Sequence, residues 1–283
     1  MIAVTGATGQ LGQLVIKYLL QRAPSEKLVA LARDLDKAQS LIGSGVEIRQ
    51  ADYSQPSSLV AALKGVTKLL LISSSEVGQR FVQHKNVIDA AKEAGVELIA
   101  YTSLLHADTS PLMLAAEHVE TEAYLKQANI PHVLLRNGWY SENYLASLAP
   151  SLANGGFIGC AKDGKISSAA REDYAQAGAA VLTSEQSQGG KIYELAGDES
   201  YTLTDLCEII SEESGQKIPY INLPESDFVK ALESAGIPRP FAVVLADSDK
   251  GASKGGLFDD SHDLSKLIGH PTRSLREMIK ASL

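Results

Sequence analysis

Residues 5–12 read Thr5-Gly6-Ala7-Thr8-Gly9-Gln10-Leu11-Gly12 and follow the apolar triplet Ile2-Ala3-Val4 directly. Beyond them Leu11, Leu14, Val15, Tyr18 and Leu19 recur at helical spacing, so the glycines form a turn between a strand and an amphipathic helix. That is the context in which a dinucleotide-binding turn occurs. Gly6 allows a bend that a Cβ would block. Gly9 lets backbone N–H groups approach a diphosphate, and Gly12 lets the helix pack closely on the strand. The helix N-terminus at Gln10 adds partial positive charge, which favours an anion there. A plain strand–helix turn is the bland alternative.

The rest of the first half repeats the theme. Short apolar runs occur at Leu28–Ala32, Val46–Ile48, Leu69–Ile72, Leu98–Tyr101 and Val133–Leu135, and helical stretches such as 77–94 and 112–128 separate most of them. In the latter stretch Leu112, Ala116, Val119 and Ala123 are expected to form the apolar stripe, with His118, Glu122 and Lys126 on another face. Continuous apolar strands suit a parallel sheet covered on both faces, and the strand–helix–strand repeat gives an α/β fold, a Rossmann-type doubly wound parallel sheet. The expected core spans 1–136 and is rejoined by about 174–198, where Ile192–Leu195 reads as a late strand. Residues 137–173 and 199–283 are expected to form a smaller C-terminal substrate lobe. In it Thr202 and Asp205 have the spacing of a capping box, and Gly251, Gly255 and Gly256 read as a loop.

Composition removes several function classes. A chain of 283 residues buries roughly 75% of its unfolded surface, so it needs no disulfide or structural metal. The net charge is −8 and no Lys/Arg cluster is visible, which argues against a nucleic-acid partner. Cys160 and Cys207 lie in no CxxC, and the six histidines contain no HExxH, so no metal is expected. No apolar run approaches the ~18 residues of a membrane span. Strand-like sequence from Ile2 leaves no room for a signal peptide, and the expectation is a cytoplasmic protein. Oligomeric state is left open, a homodimer included.

The stretch TGATGQLG resembles the fingerprint of extended and atypical short-chain dehydrogenases/reductases. Past the second strand, where a 2′-hydroxyl reader would be acidic, stands Arg33, which suits a 2′-phosphate and favours NADP. Asp34 beside it leaves weaker NADH use open. Asp52 resembles the adenine-contacting Asp of the superfamily, and is equally consistent with a turn. Ser73, Ser74 and Ser75 end the fourth strand, where they reach a cofactor ribose or phosphate, or cap a helix. Asn137 and Gly138 end the strand from Val133 and should border the nicotinamide, since ligands of such sheets lie beyond the carboxyl ends of the strands.

Carbonyl-processing relatives carry Tyr-x-x-x-Lys, whose lysine lowers the tyrosine pKa. None of the ten tyrosines here has Lys four residues on. An ordinary alcohol dehydrogenase is thereby disfavoured. A quinone, whose reduced product is an aromatic hydroquinone, needs mainly proximity and orientation for hydride transfer.

With RNGWYSENY after the sixth strand and LSKLIGHPT near the end, the whole chain resembles the NmrA-like family. The resemblance implies NADPH-dependent quinone reduction by direct hydride transfer, with no flavin and no metal. The alternative is a non-catalytic NAD(P)-sensing regulatory protein, since the family includes such members. Carried over residue by residue, the resemblance implies cofactor contacts at Gly6, Ala7, Thr8, Gly9, Gln10, Leu11 and Gly12, at Arg33, at Ser73–Ser75, and at Asn137, Gly138, Trp139, Tyr140, Ser141 and Glu142. Lys165 is a further candidate. Trp139 and Tyr140 either wall in a flat acceptor or pack in the core. His118 sits where related reductases place a catalytic lysine; the expectation is a surface histidine, and no catalytic group is assigned.

Overall fold

The structure is a computed structural model that describes residues 1–283, apart from the side chain of Ser40. In chain order the first elements are β1 (Ile2–Val4), α1 (Gln10–Arg22), β2 (Leu28–Ala32), β3 (Glu47–Gln50), α2 (Pro56–Ala62), β4 (Lys68–Leu71), α3 (Arg80–Glu93), β5 (Leu98–Leu104), α4 (Ala115–Ala128) and β6 (His132–Asn137). There follow α5 (Ser141–Leu145), α6 (Leu148–Asn154), β7 (Phe157–Gly159), α7 (Arg171–Thr183), β8 (Ile192–Leu195), α8 (Leu203–Ser214), β9 (Tyr220–Asn222), α9 (Glu225–Ser234), α10 (Arg239–Ala252), α11 (Asp263–Ile268) and α12 (Leu275–Ser282).

A seven-stranded sheet runs in the order β3-β2-β1-β4-β5-β6-β8. The pairs from β3 through to β6 are all parallel. The chain builds outward from β1 to β3, then returns to the other side of β1 as β4. That reversal makes the carboxyl ends of β1 and β4 the place where such a sheet opens a crevice. β2 and β5 are buried along their whole length, as strands covered on both faces must be. The edge strand β3 is half-exposed, so the apolar run at 46–48 marked only its beginning.

Two compact units divide the chain. The first comprises 1–107, 116–137 and 172–193, and the second comprises 108–115, 138–171 and 194–283. In the first, Leu59, Leu63, Leu69, Leu71, Ile88, Ile99 and Tyr101 anchor a continuous apolar core. In the second, Phe228, Leu232, Ala242 and Ala246 pack with Cys160. There Thr202 and Asp205 do form a reciprocal capping box at the start of α8, and a two-stranded sheet joins β7 to β9.

Three expectations are corrected. α3 begins at Arg80, not Val77, because Gly78 takes φ +87° and the helix starts only after that turn. The carboxylate of Glu117 accepts the amides of Gly78 and Arg80 at 3.0 and 2.9 Å and so caps α3 from another helix. On α4 the expected stripe is outward: Ala116, Val119 and Ala123 are exposed, while His118, Thr121, Leu125 and Ala128 face inward. Polar side chains hold the inner face because hydrogen-bonding partners meet them there. Finally, Gly251 belongs to α10. A Cβ on Gly251 or Gly256 would fall 2.6 or 2.7 Å from Leu112 Cδ1, so these glycines make room for a leucine that lies before α4 rather than in it.

The LSKLIGHPT stretch also acquires a role. Asp198 accepts the Ser265 hydroxyl at 2.6 Å and the Thr272 amide at 2.9 Å, and its own amide donates to Thr272 Oγ1. His262 Nδ1 lies 3.0 Å from the same carboxylate. The motif ties down the C-terminal tail.

Candidate functional site

The glycine turn leaves β1 with Gly6 at φ +57°, a conformation open to glycine at little cost. A Cβ on Gly12 would stand 2.3 Å from the Gly6 carbonyl oxygen and 2.8 Å from Ala7 Cα, so only glycine lets α1 start this close to the turn. Gly9 is the N-cap of α1, and no side chain caps the helix. The first N–H groups of a helix have no intrahelical partner, and here no side chain takes their place as a cap, so the positive end of the helix dipole is left to an anion. Thr5 locks the turn to β4: its hydroxyl donates to Leu70 O at 3.1 Å and accepts the Ile72 amide at 2.9 Å.

The segment after β4 is held as firmly. Ser73 N donates to Thr102 Oγ1 at 2.8 Å. The Ser74 hydroxyl donates to Gln83 Oε1 at 2.5 Å, its amide donates to His84 Nε2 at 2.9 Å, and its carbonyl accepts Arg80 Nε at 2.6 Å. α3 therefore supplies three side chains to one residue.

Behind them lies a buried polar ring. Because His84 Nε2 accepts, the proton of the neutral imidazole is assigned to Nδ1, which faces Thr121 Oγ1 at 3.0 Å and the Tyr101 hydroxyl at 3.4 Å. The Tyr101 hydroxyl is 2.7 Å from His118 Nδ1, and His118 Nε2 is 3.4 Å from Arg80 Nη1. From Arg80 the path returns to Ser74. Burial, then the charge of Arg80, pushes the pKa of both His84 and His118 down to about 3. His118 is only 4% exposed, so the expected surface histidine is a neutral interior one.

Arg33 stands on the surface and pairs with Glu76 at 2.8 Å. Asp52 accepts the Ser54 amide at 2.8 Å, which is the turn reading. Asn137 is buried at the end of β6, and its side-chain oxygen has no hydrogen-bond partner. A buried amide oxygen left without a donor is costly, and this one suits a ligand that brings a donor.

In the second unit Gly138 donates to Leu195 O at 2.7 Å, and Trp139 to Ser141 run alongside Ala169. Ser141 Oγ lies 2.7 Å from Ser168 Oγ, which meets the Tyr201 hydroxyl at 2.5 Å. The Glu142 carboxylate accepts the Arg171 amide at 3.0 Å, so it acts as a helix cap there. The Arg171 guanidinium sits 4.5 Å over the Tyr140 ring, and Lys165 Nζ 5.8 Å from that of Phe258. Trp139 and Tyr140 are half-buried. Asp249, which burial raises to about 6, accepts Cys160 N and the Tyr144 hydroxyl.

Among the described residues no group of three His, Cys, Asp or Glu is placed to hold a metal, and no helix is long and apolar enough to cross a membrane. Sequence reasoning passed over Thr5, Glu76, Arg80, Gln83 and His84. Thr5 lay inside the quoted motif; the others lie on α3 or just before it, where no pattern distinguishes an inward polar side chain from a solvated one.

The model of the NmrA-like family matches residues 1–278. The chain belongs to the NmrA-like family. Within it, the chain is 60% identical over 279 residues to Quinone oxidoreductase 2 of Escherichia coli, covering 99% of this chain and 97% of the relative. Among solved structures, an NADPH-dependent quinone oxidoreductase of Escherichia coli complexed with NADPH superposes with a TM-score of 0.97 at 59% identity over 99% of each chain. The triphenylmethane reductase of Citrobacter sp. complexed with NADP(H) superposes with a TM-score of 0.96 at 40% identity over 100% of both chains.

Proposed function

We propose that this NmrA-like protein is an NADPH-dependent quinone reductase that needs no flavin. What carries the reading is the 60% identity to a quinone oxidoreductase over 99% of the chain, and a first unit whose glycine turn and uncapped helix N-terminus suit the cofactor's diphosphate. Bound NADPH supplies a hydride, and one proton from solvent completes reduction of the quinone to the hydroquinone.

The chain's own part is to bind and orient. The backbone from Gly6 to Gly12 takes the diphosphate at the N-terminus of α1, and Arg33 takes the 2′-phosphate, with NADH held more weakly. Ser73 to Ser75 face the ribose, held from beneath by α3. Asn137 offers its amide oxygen to a donor of the nicotinamide end, followed by Gly138, which leaves room for it. Trp139 and Tyr140 provide aromatic faces for a flat acceptor, and Ser141, Glu142 and Lys165 complete the proposed set. No side chain is asked to act as a strong acid, in keeping with the missing Tyr-x-x-x-Lys. The reading carries with it a cytoplasmic enzyme without a nucleic-acid partner.

The test is loss of nicotinamide absorbance with flavin-free protein, NADPH and a simple benzoquinone, corrected for the uncatalysed reaction. Saturable turnover is expected. NADPH binding without turnover on any quinone would overturn the activity and restore the regulatory alternative.

A further inference from the structure

β2 and β4 flank β1, so the segments leaving them stand on either side of the glycine turn. Val4 is in register with Ala30 on one side and Leu70 on the other, so Arg33 and Ser73 each come three residues after a residue paired with Val4. From Ser73 the chain runs out to Glu76, and Glu76 Oε1 meets Arg33 Nη1 at 2.8 Å. The ion pair thus joins the loop after β2 to the loop after β4, beside the turn assigned to the diphosphate.

Glu76 is aimed at Arg33. Its other oxygen accepts Gln83 Nε2 at 2.8 Å, and its amide donates to Ser74 Oγ at 3.1 Å. Gln83 is buried and fixed in turn by the Ser74 hydroxyl. A long surface acid with two such tethers is held in place. Arg33 is its target: the hydrogen bond and the charge of Glu76 are the main causes that raise the arginine pKa, with smaller contributions from Asp52 and Asp34.

We propose that Glu76 is a specificity-determining residue, its carboxylate occupying on Arg33 the position that the 2′-phosphate of NADPH takes when it binds. This rests on the reading of Arg33 given above. The exchange is feasible because the pair is open to solvent, with side-chain exposures of 66% and 45%, and exposed pairs are weak. A phosphate dianion, meeting a guanidinium through two parallel hydrogen bonds, outcompetes a single carboxylate. NADH brings nothing to trade, so Arg33 stays with Glu76 when NADH binds. Glu76 therefore tempers the preference for NADPH rather than creating it, as a like charge near a recognition site does.

The experiment is calorimetric titration of NADPH and NADH into the parent protein, Glu76→Gln, Arg33→Ala and the double variant. Glu76→Gln keeps an acceptor for Gln83 and removes the charge at an exposed position. NADPH is expected to tighten about threefold, NADH to be unchanged, and the gain to vanish in the Arg33→Ala background. Equal tightening of both cofactors, weaker NADPH binding, or a gain that persists without Arg33 would each overturn the proposal. Arg33→Ala weakening both cofactors alike would overturn the role of Arg33 and this proposal with it, while leaving the reductase reading intact; a parent protein that binds neither cofactor would bring down both.

Discussion

His84 accepts the amide hydrogen of Ser74 on Nε2 at 2.9 Å, so an interior side chain of α3 fixes the residue that follows β4. Replacing it with leucine leaves that amide without a partner and opens the ring behind it. His84→Leu is expected to cost about 1–3 kcal/mol, read as a lower urea midpoint, and to weaken NADPH. His84→Gln, which keeps an acceptor, should recover part of both. Leucine with full cofactor affinity would show that the bracket around Ser74 does not organise the crevice.

The two buried histidines set an acid limit. Both have pKa values near 3 in the folded chain against 6.5 for a free ring. As pH falls below 6.5 the unfolded chain takes up two protons that the folded chain refuses until about 3, so stability drops across that window, by up to roughly 1.4 kcal/mol per pH unit per histidine. Asp249 acts in the opposite sense: raised to about 6 from 3.8, it binds its proton earlier when folded and adds stability as pH falls between those values. Two groups outweigh one. Urea midpoints should fall from pH 6.5 to 4.5, and a His84→Gln, His118→Gln double variant should show a flatter profile; an unchanged slope would refute the assignment.

Asn137 holds a buried oxygen without a donor. Asn137→Ala is expected to weaken NADPH about tenfold, the worth of one good hydrogen bond, with the fold retained by circular dichroism. Unaltered affinity would remove Asn137 from the cofactor set.

Two glycines should respond in opposite ways to alanine. At Gly178, within α7, a Cβ would lie 3.6 Å from Leu70 Cδ2, an ordinary contact, and the helix gains about 0.5–1 kcal/mol. At Gly12 the added carbon meets the Gly6 carbonyl oxygen at 2.3 Å, so the turn must shift. Thermal melts and NADPH titrations should show Gly178→Ala stabilised with binding intact and Gly12→Ala impaired in both.

The sheet was legible because apolar runs such as Leu28–Ala32 need no partner to be recognised: a strand covered on both faces is apolar throughout. The glycine turn was legible for a related reason, since its backbone demands are local. α4 was misread because its inner face is polar. His118 and Thr121 are buried only because Tyr101 and His84, from β5 and α3, arrive to bond them, and nothing within residues 112–128 announces those partners. Glu76 escaped notice in the same way. Its role depends on Arg33, 43 residues earlier, and on a register that only the folded sheet provides.

Asp198, which gathers Ser265, Thr272 and His262, has a consequence for ancestry. The tail that helps mark this lineage is held by these bonds, at a distance in sequence from the aromatic segment proposed to meet the acceptor. Of the two later stretches that carry the resemblance, RNGWYSENY includes the side chains proposed to meet the acceptor and LSKLIGHPT does not. A descendant that exchanged Trp139 and Tyr140 for other side chains would blur the first mark of kinship and keep the second, held by Asp198, while serving a different acceptor.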